Sequence, residues 1–294
     1  MFLEIKKEKI KMYNESRNPF FEVRKEDVFT ASGMKIDNKV ALVNGEMNSV
    51  VGFVSPGYDI VENQSVANLF EEATKEFGVA KVKDHMDSTT KRWKRQFIFN
   101  DTRLSAEILP ADIVGVCLEV YNGYDGRTAF GYSLMGYRWM CENGMIMGKK
   151  NLFSESYAHY DGNVGKLRES FEFKFNMFHK NAKVWEKWSK ETFNQASFDK
   201  FLSVHTKPVN AKAASHQYLS EKMATSISQS YIPMLEDQKL RDDKWGAFNV
   251  ITYLMTHETK ARKGSNLFSN RYGTMGRLAG DMYDEEENMM LVAA

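Results

Sequence analysis

Asn122–Gly144 reads NGYDGRTAFGYSLMGYRWMCENG and follows directly on Asp112–Tyr121, DIVGVCLEVY. In the earlier run Val114, Val116, Leu118 and Val120 recur with a period of two, which places them on one face of a β-strand. The loop NGYDG is rich in residues that tolerate the backbone angles of tight turns, and a partner strand starts at Arg127. The two runs together predict a long β-hairpin. Asn, Asp, Arg, Trp and Cys crowd into it, so the same stretch would also suit a catalytic site, a ligand-gripping surface or a plain hairpin with a buried cysteine.

Upstream, KRWKRQFIF at Lys91–Phe99 alternates in the same way. Trp93, Phe97 and Phe99 share a face with Arg95, while Arg92, Lys94 and Gln96 lie on the other. VVGFV at Val50–Val54 and YDIV at Tyr58–Val61 read as short strands around the turn formers Ser55, Pro56 and Gly57. A helix follows, capped by Asn63, with Val66, Leu69, Phe70, Ala73 and Phe77 on one face and Gly78 in a left-handed C-terminal position. Residues up to Glu46 read as an N-terminal arm with short strands and turn chemistry at Ser32-Gly33 and Asn44-Gly45.

Downstream, Phe171, Phe173, Phe175 and Met177 alternate with Glu172, Lys174 and Asn176, which predicts one more strand. Helical spacing then covers 179–193, 197–204, 213–229 and 244–262. Strands early and helices late predict an α+β fold: an antiparallel sheet with a long hairpin in the N-terminal and central part, and a helical C-terminal half packed on it. The expected division is an arm over 1–45, one domain over 46–281 and a tail over 282–294, whose DEEEN at Asp284–Asn288 reads as a solvated end.

The 294 residues, 43% hydrophobic and 13% aromatic, are enough for a substantial core. Forty basic against thirty-nine acidic side chains give a formal charge of +1, so binding to nucleic acid must come from a local patch. Two cysteines, Cys117 and Cys141, fit a reducing compartment, and no run of about eighteen apolar residues is present. The first residues lack a continuous apolar signal region. The reading is a cytoplasmic protein, with no membrane partner and no cofactor.

Several reaction classes fall away on motif grounds. GMIMGKK at Gly144–Lys150 is one residue short of a phosphate loop and lacks its Ser or Thr. His257-Glu258 has Ala261 where a zinc protease needs a second histidine, and no CxxC is present, so no metal site is expected. Cys141, His179 and Asn249 supply the side-chain types of a cysteine hydrolase, although nothing near Cys141 would lower its pKa, and packing is the simpler role. Asn249, Tyr253, Thr256, His257 and Lys260 form a polar stripe on the last long helix, opposite Trp245, Phe248, Thr252 and Met255.

Basic residues cluster at Lys91, Arg92, Lys94 and Arg95, and again at Lys260, Arg262, Lys263, Arg271 and Arg277, interleaved with Trp93, Phe97, Phe268 and Tyr272. Cations that neutralise phosphates and rings that stack unpaired bases are what a single-strand groove requires. Arg127 and Arg138, from the hairpin, join the candidate set.

The segments VVGFVSPGYDIVENQSVANLF at Val50–Phe70, VYNGYDGRTAF at Val120–Phe130, Cys141-Glu142-Asn143, FKFNMFHKNA at Phe173–Ala182 and WGAFNVITYLMTH at Trp245–His257 resemble, in order and spacing, the phage/plasmid-like protein family known as domain of unknown function 932. Closed by GTMGRLAGD from Gly273, the resemblance runs from about Lys39 to Asp281. Gly144 stands where the family pattern has Thr after Cys-x-Asn. The resemblance implies a setting of mobile DNA and, by analogy with phage strand-annealing recombinases, an oligomer that binds and anneals single-stranded DNA. A second reading is an anti-defence protein that blocks a host factor through the Asn122–Gly126 loop and the polar stripe. The third is the cysteine hydrolase.

Overall fold

The computed structural model describes residues 18–87, 91–149, 153–159, 174, 177–209, 212–258 and 270–292. Among them the fold is α+β, with two antiparallel sheets and a helical C-terminal part. The small sheet has the order β1-β2-β3, from Val23–Phe29, Lys35–Asn44 and Ser49–Val54. The large sheet contains β4 (Val79–Met86), β5 (Arg92–Phe99), β6 (Ser105–Leu109), β7 (Asp112–Gly123), β8 (Phe130–Arg138), β9 (Asn143–Ile146) and β10 (Ser154–Tyr157). Its path is β10-β8-β7-β5-β4, with β6 on β7 and β9 on β8. The expected long hairpin is β7–β8, in register from Val114 opposite Arg138 to Tyr121 opposite Gly131.

The helices are α1 (Asn63–Thr74), α2 (Phe178–Trp188), α3 (Gln195–His205), α4 (Glu221–Asp237), α5 (Lys244–Tyr253), a π-turn at Leu254–Glu258, α6 (Asn270–Gly280) and α7 (Glu285–Val292). Val114, Val116, Leu118 and Val120 do share one sheet face, together with Trp93, Phe97 and Phe99. Against them pack Val66, Ala67 and Phe70 of α1 and a cluster of rings from the C-terminal helices: Trp185, Trp188, Trp245 and Phe248. Every one of these side chains is essentially removed from water, and burial of aromatic area on this scale is the main source of stability.

Several expectations change. Tyr58–Val61 is a loop, buried at Tyr58 and Val61, and not a strand. It is tied to the hairpin in both directions: Asn122 Nδ2 donates to the Val61 carbonyl at 2.6 Å, and the Tyr58 hydroxyl donates to the Gly123 carbonyl at 3.2 Å. Glu62, not Asn63, is the N-cap of α1, because the Asn63 side chain is drawn inward to the Pro19 carbonyl and to Asn122. Gly78 does not take the left-handed conformation; a side chain there would meet the Asn100 carboxamide. Helix α4 starts only after Ser220, whose hydroxyl caps it, and then runs through Pro233. The strand expected at 171–177 lies outside the described residues except for Lys174 and Met177, neither of which is in a strand.

The line expected between residues 45 and 46 falls in the β2–β3 turn of a single sheet. The DEEEN cluster is solvated at Asp284, Glu285 and Glu286 but not at Glu287. Asp284 and Glu287 form a reciprocal cap, each carboxylate accepting the other's main-chain N–H, and this starts α7. Glu287 is buried and receives Trp188 Nε1 at 2.8 Å, while Leu291 is fully covered.

The joint between the two sheets is the NGYDG loop. Tyr124 belongs to the small sheet's core with Phe21, Val23, Leu42, Val51, Val54 and Tyr58. Its hydroxyl accepts the Asn63 N–H at 3.0 Å. Strand β3 approaches so closely that a Cβ on Gly52 would lie 1.8 Å from the Tyr124 carbonyl oxygen, which only glycine permits. His159 closes the same joint, stacked on Tyr58 at 4.6 Å and set edge-on to Phe130 at 5.3 Å.

Burial pushes the His159 pKa below its ordinary 6.5, and His85 is shifted the same way for the same reason. The unfolded chain therefore takes up protons first as pH falls, so this contribution to stability is complete above about pH 6.5 and declines below it. Urea unfolding followed across that pH should show a falling midpoint on the acid side. His159→Phe, which keeps the stack on Tyr58, should remove part of the fall.

Candidate functional site

Side chains gathered by the β8–β9 turn and α5 form a buried polar network. The Asp112 carboxylate accepts Arg138 Nε at 2.6 Å and Trp245 Nε1 at 3.0 Å. Arg138, 2% exposed, turns its remaining nitrogens to the sulfurs of Cys141 at 3.5 Å and Met140 at 3.6 Å. The Cys141 thiol donates to the Asn143 carboxamide oxygen. Asn143 Nδ2 donates to Thr252 Oγ1 at 2.9 Å, and the Gly144 N–H donates to Thr256 Oγ1 at 3.2 Å. His257 Nε2 lies 2.9 Å from the Cys141 carbonyl oxygen.

Of the expected polar stripe, Thr256 and His257 reach the turn at Cys141–Gly144; Thr252, expected on the opposite face, bonds it too, Asn249 donates within its own helix, and Lys260 lies outside the described residues. Asn249 and Thr252 are buried, Tyr253 is half-buried against His257, and His257 itself is exposed. Helix α5 is enclosed from Lys244 to Thr252, and a π-turn follows it, where one widened turn brings Thr256 and His257 to the loop.

This arrangement does not assemble a cysteine hydrolase. His179 is engaged elsewhere, with Nε2 2.6 Å from the Arg103 carbonyl oxygen. His257 contacts the carbonyl of Cys141 and not its sulfur, and Asn249 donates to the Trp245 carbonyl. Burial raises the Cys141 pKa, outweighing the opposite pull of Arg138, and Cys117 is pushed up further by complete burial. A protonated thiol donating to an amide oxygen is packing with a hydrogen bond. Among the described residues no group of three or more His, Cys, Asp or Glu is placed to hold a metal ion, and no helix is long and apolar enough to cross a membrane.

The first basic cluster is not a free basic face. Arg92 and Lys94 do project opposite Trp93 and Phe97, but Arg92 is paired with Asp125 at 2.8 Å and Lys94 with Glu119 at 2.7 Å. Glu119 is 4% exposed, so Lys94 neutralises a buried carboxylate. Arg95 lies on the aromatic face as expected, gripped by Asp84 and Glu71. Lys91 is half-buried beside the β5 start, Arg127 is exposed at the hairpin turn and Arg138 is buried. Lys260, Arg262 and Lys263 lie outside the described residues, and Arg271 falls in the first turn of α6. Asn122 and Tyr124 are fully buried, so the NGYDG loop does not present them to a protein partner.

The polar face of the large sheet holds cations that sequence reasoning missed. Cross-strand pairing aligns Lys83 with Gln96 and Glu119, and Lys81 with Ile98 and Cys117. Lys81 Nζ sits 6.0 Å from the centre of the Trp139 ring and Lys83 Nζ 5.7 Å from that of Tyr137. One carboxylate, Glu142, bridges both ammonium groups, the second at 3.3 Å. These three side chains are 36% to 47% exposed. The lysines' hydrogen bonds and charge hold the Glu142 pKa down at about 2. The signal is present in VAKVKDHM at Val79–Met86, where Lys81, Lys83 and His85 alternate with Val82 and Asp84.

A family model described as Domain of unknown function (DUF932) matches residues 50–272, more than half of the chain. No curated protein and no solved structure matches the chain.

The network predicts a sharp contrast between two neighbouring substitutions. Arg138→Met leaves the buried Asp112 carboxylate without its cation and should cost about 3–5 kcal/mol, seen as a large drop in the urea midpoint. Cys141→Ser keeps a donor to Asn143 and should change stability by less than about 1 kcal/mol.

Proposed function

We propose that this chain, which belongs to the family described as Domain of unknown function (DUF932), binds single-stranded DNA on the polar face of its large sheet. The observation that carries the reading is the pair of lysines, Lys81 and Lys83, poised over the rings of Trp139 and Tyr137 and held there by a single exposed carboxylate. Cations beside aromatic rings on an antiparallel sheet suit phosphate neutralisation and base stacking. Glu142 occupies the place of a phosphate: it offers two oxygens to two ammonium groups, and a phosphodiester oxygen pair offers the same. A phosphate arriving at this point releases Glu142 to solvent and uncovers the rings beneath.

Lys94 takes no part in the phosphate contacts, because its pairing with buried Glu119 makes it structural. It also accounts for binding by a chain with a formal charge of only +1, because the cations are held in an internal pair until a polyanion replaces the carboxylate. Annealing of complementary strands and a mobile-DNA setting extend the same proposal, and the family match itself carries neither.

A titration of labelled single-stranded DNA against salt tests it. Lys81→Ala with Lys83→Ala should lower the logarithmic salt slope by about 0.7 for each lost contact, hence about 1.4 together. Glu142→Gln should act in the opposite direction and tighten binding, because it frees both ammonium groups. Lys94→Ala should instead lower stability. No binding at low salt, or unchanged affinity in both the double lysine variant and Glu142→Gln, would show the reading to be wrong.

A further inference from the structure

The lysine site on the large sheet holds a donor that binds nothing. Tyr137 stands between Gly115 of β7 and Gly144 of β9, its directly opposed partners, so neither sets a side chain against its ring. The residue is 3% exposed, and its hydroxyl is buried without a hydrogen bond of good geometry. Lys83 Nζ stands over the ring, and Trp139 meets it edge-on at 5.2 Å. Glu142 is within reach: burial first, and the charge of this carboxylate after it, push the Tyr137 pKa up. A buried hydroxyl left in this state costs stability, and here it lies beside the carboxylate that bridges Lys81 and Lys83.

Two ammonium groups share a single carboxylate, which leaves the trio with a net positive charge. An internal phosphodiester carries one negative charge and two free oxygens, so it replaces Glu142 by an equal. A phosphate monoester carries about −1.5 to −2 charges at pH 7 and offers three acceptor oxygens. We infer that the ligand this site fits best is the phosphorylated end of a single strand, an inference that rests on the DNA-binding reading of the same residues. Two of its oxygens take the ammonium groups of Lys81 and Lys83, and the third accepts the Tyr137 hydroxyl once Glu142 is displaced.

The position in the sheet agrees with an end. Strand β8 stops at Arg138, and Trp139 follows at once, half-buried, with its ring laid across Gly115: a Cβ there would come 2.9 Å from Trp139 Nε1. Lys81 Nζ stands over that ring. A terminal base has no neighbour on its outer side, so it stacks on a ring at the rim of the sheet without breaking a stack within the strand. Charged and hydroxyl donors that converge on three oxygens recognise an end, because in a diester the third oxygen is esterified to the next sugar.

Fluorescence anisotropy on the full chain tests it, with internally labelled strands of one sequence that carry a 5′-phosphate, a 3′-phosphate or hydroxyls at both ends. One of the phosphorylated strands should bind about tenfold more tightly than the hydroxyl strand, as an added charge and an added charge-assisted hydrogen bond require. Tyr137→Phe deletes a buried hydroxyl that lacks a partner, so it should melt no lower than wild type, and it should cut that ratio to about threefold. Equal binding by all three strands, still weakened by Lys81→Ala with Lys83→Ala, would overturn the end preference and leave DNA binding at this site standing. No binding by any strand would overturn both. A ratio unchanged in folded Tyr137→Phe, or displacement of the strand by an equimolar deoxynucleoside 5′-monophosphate, would also overturn the inference.

Discussion

The structure depends on how one buried carboxylate is satisfied. Asp112 is 3% exposed and accepts hydrogen bonds from Arg138 and from the Trp245 indole. A charge so far from water is tolerable only when it is paired and hydrogen-bonded. Those two donors come from the far end of the hairpin and from the first turn of α5, so the carboxylate fixes where the helix layer meets the sheet. Trp245 in turn stacks with Trp185 and Phe248, and Trp188 and Tyr283 continue the cluster to α7. The enclosure of α5 and the return of the chain end onto the core both follow from that anchor.

Alternation along β5, β7 and β8 then gives the sheet two faces of different chemistry. One is apolar and closed by helices. The other carries Lys83, Gln96, Glu119 and Tyr121 around the small apolar patch of Ile98, Cys117, Met135 and Tyr137. Its charges are compensated at short range: Glu119 by Lys94, Asp125 by Arg92, Glu142 by Lys81 and Lys83. A face of this kind has little long-range attraction for a polyanion, and what distinguishes its three pairs is exposure. Of the three, the Glu142 pair alone offers cations that a ligand reaches without stranding a buried charge.

The hairpin and the sheet face of Val114–Val120 are legible in the sequence because a period of two sustained over many residues fits a half-buried strand and little else. So is the basic character of Arg92 and Lys94, but not their pairing, since Glu119 and Asp125 are neighbours only across strands. Tyr58–Val61 reads as a strand because β-branched and aromatic residues suit any buried extended segment. Here the Asn122 side chain and the main-chain carbonyls of Ser55 and His159, and not a neighbouring strand, satisfy its main chain. Glu287 looks solvated because its neighbours are acidic; its burial is set by Trp188 and Lys244, distant in sequence. The polar stripe on α5 announces that something polar faces it, yet the way Thr256 reaches the turn, through a π-turn that widens the helix end, carries no sequence mark of its own.

The two halves of the molecule's polar chemistry meet at Glu142. Its neighbours Cys141 and Asn143 point into the buried network, which sends the Glu142 side chain to the opposite, wet face. The residue holds a left-handed backbone with φ +52, a conformation that costs a non-glycine residue about 1 kcal/mol or more. Such strain persists only where the surroundings over-determine it. Here His257 holds the carbonyl before Glu142 and Thr256 holds the N–H of Gly144 after it, both from the π-turn. The position of the bridging carboxylate over Lys81 and Lys83 is therefore inherited from Asp112, through Arg138, the turn and the end of α5. A carboxylate placed by a rigid buried network, and not by its own side-chain preferences, is a fixed feature of the lysine site, available to be displaced but not to drift away.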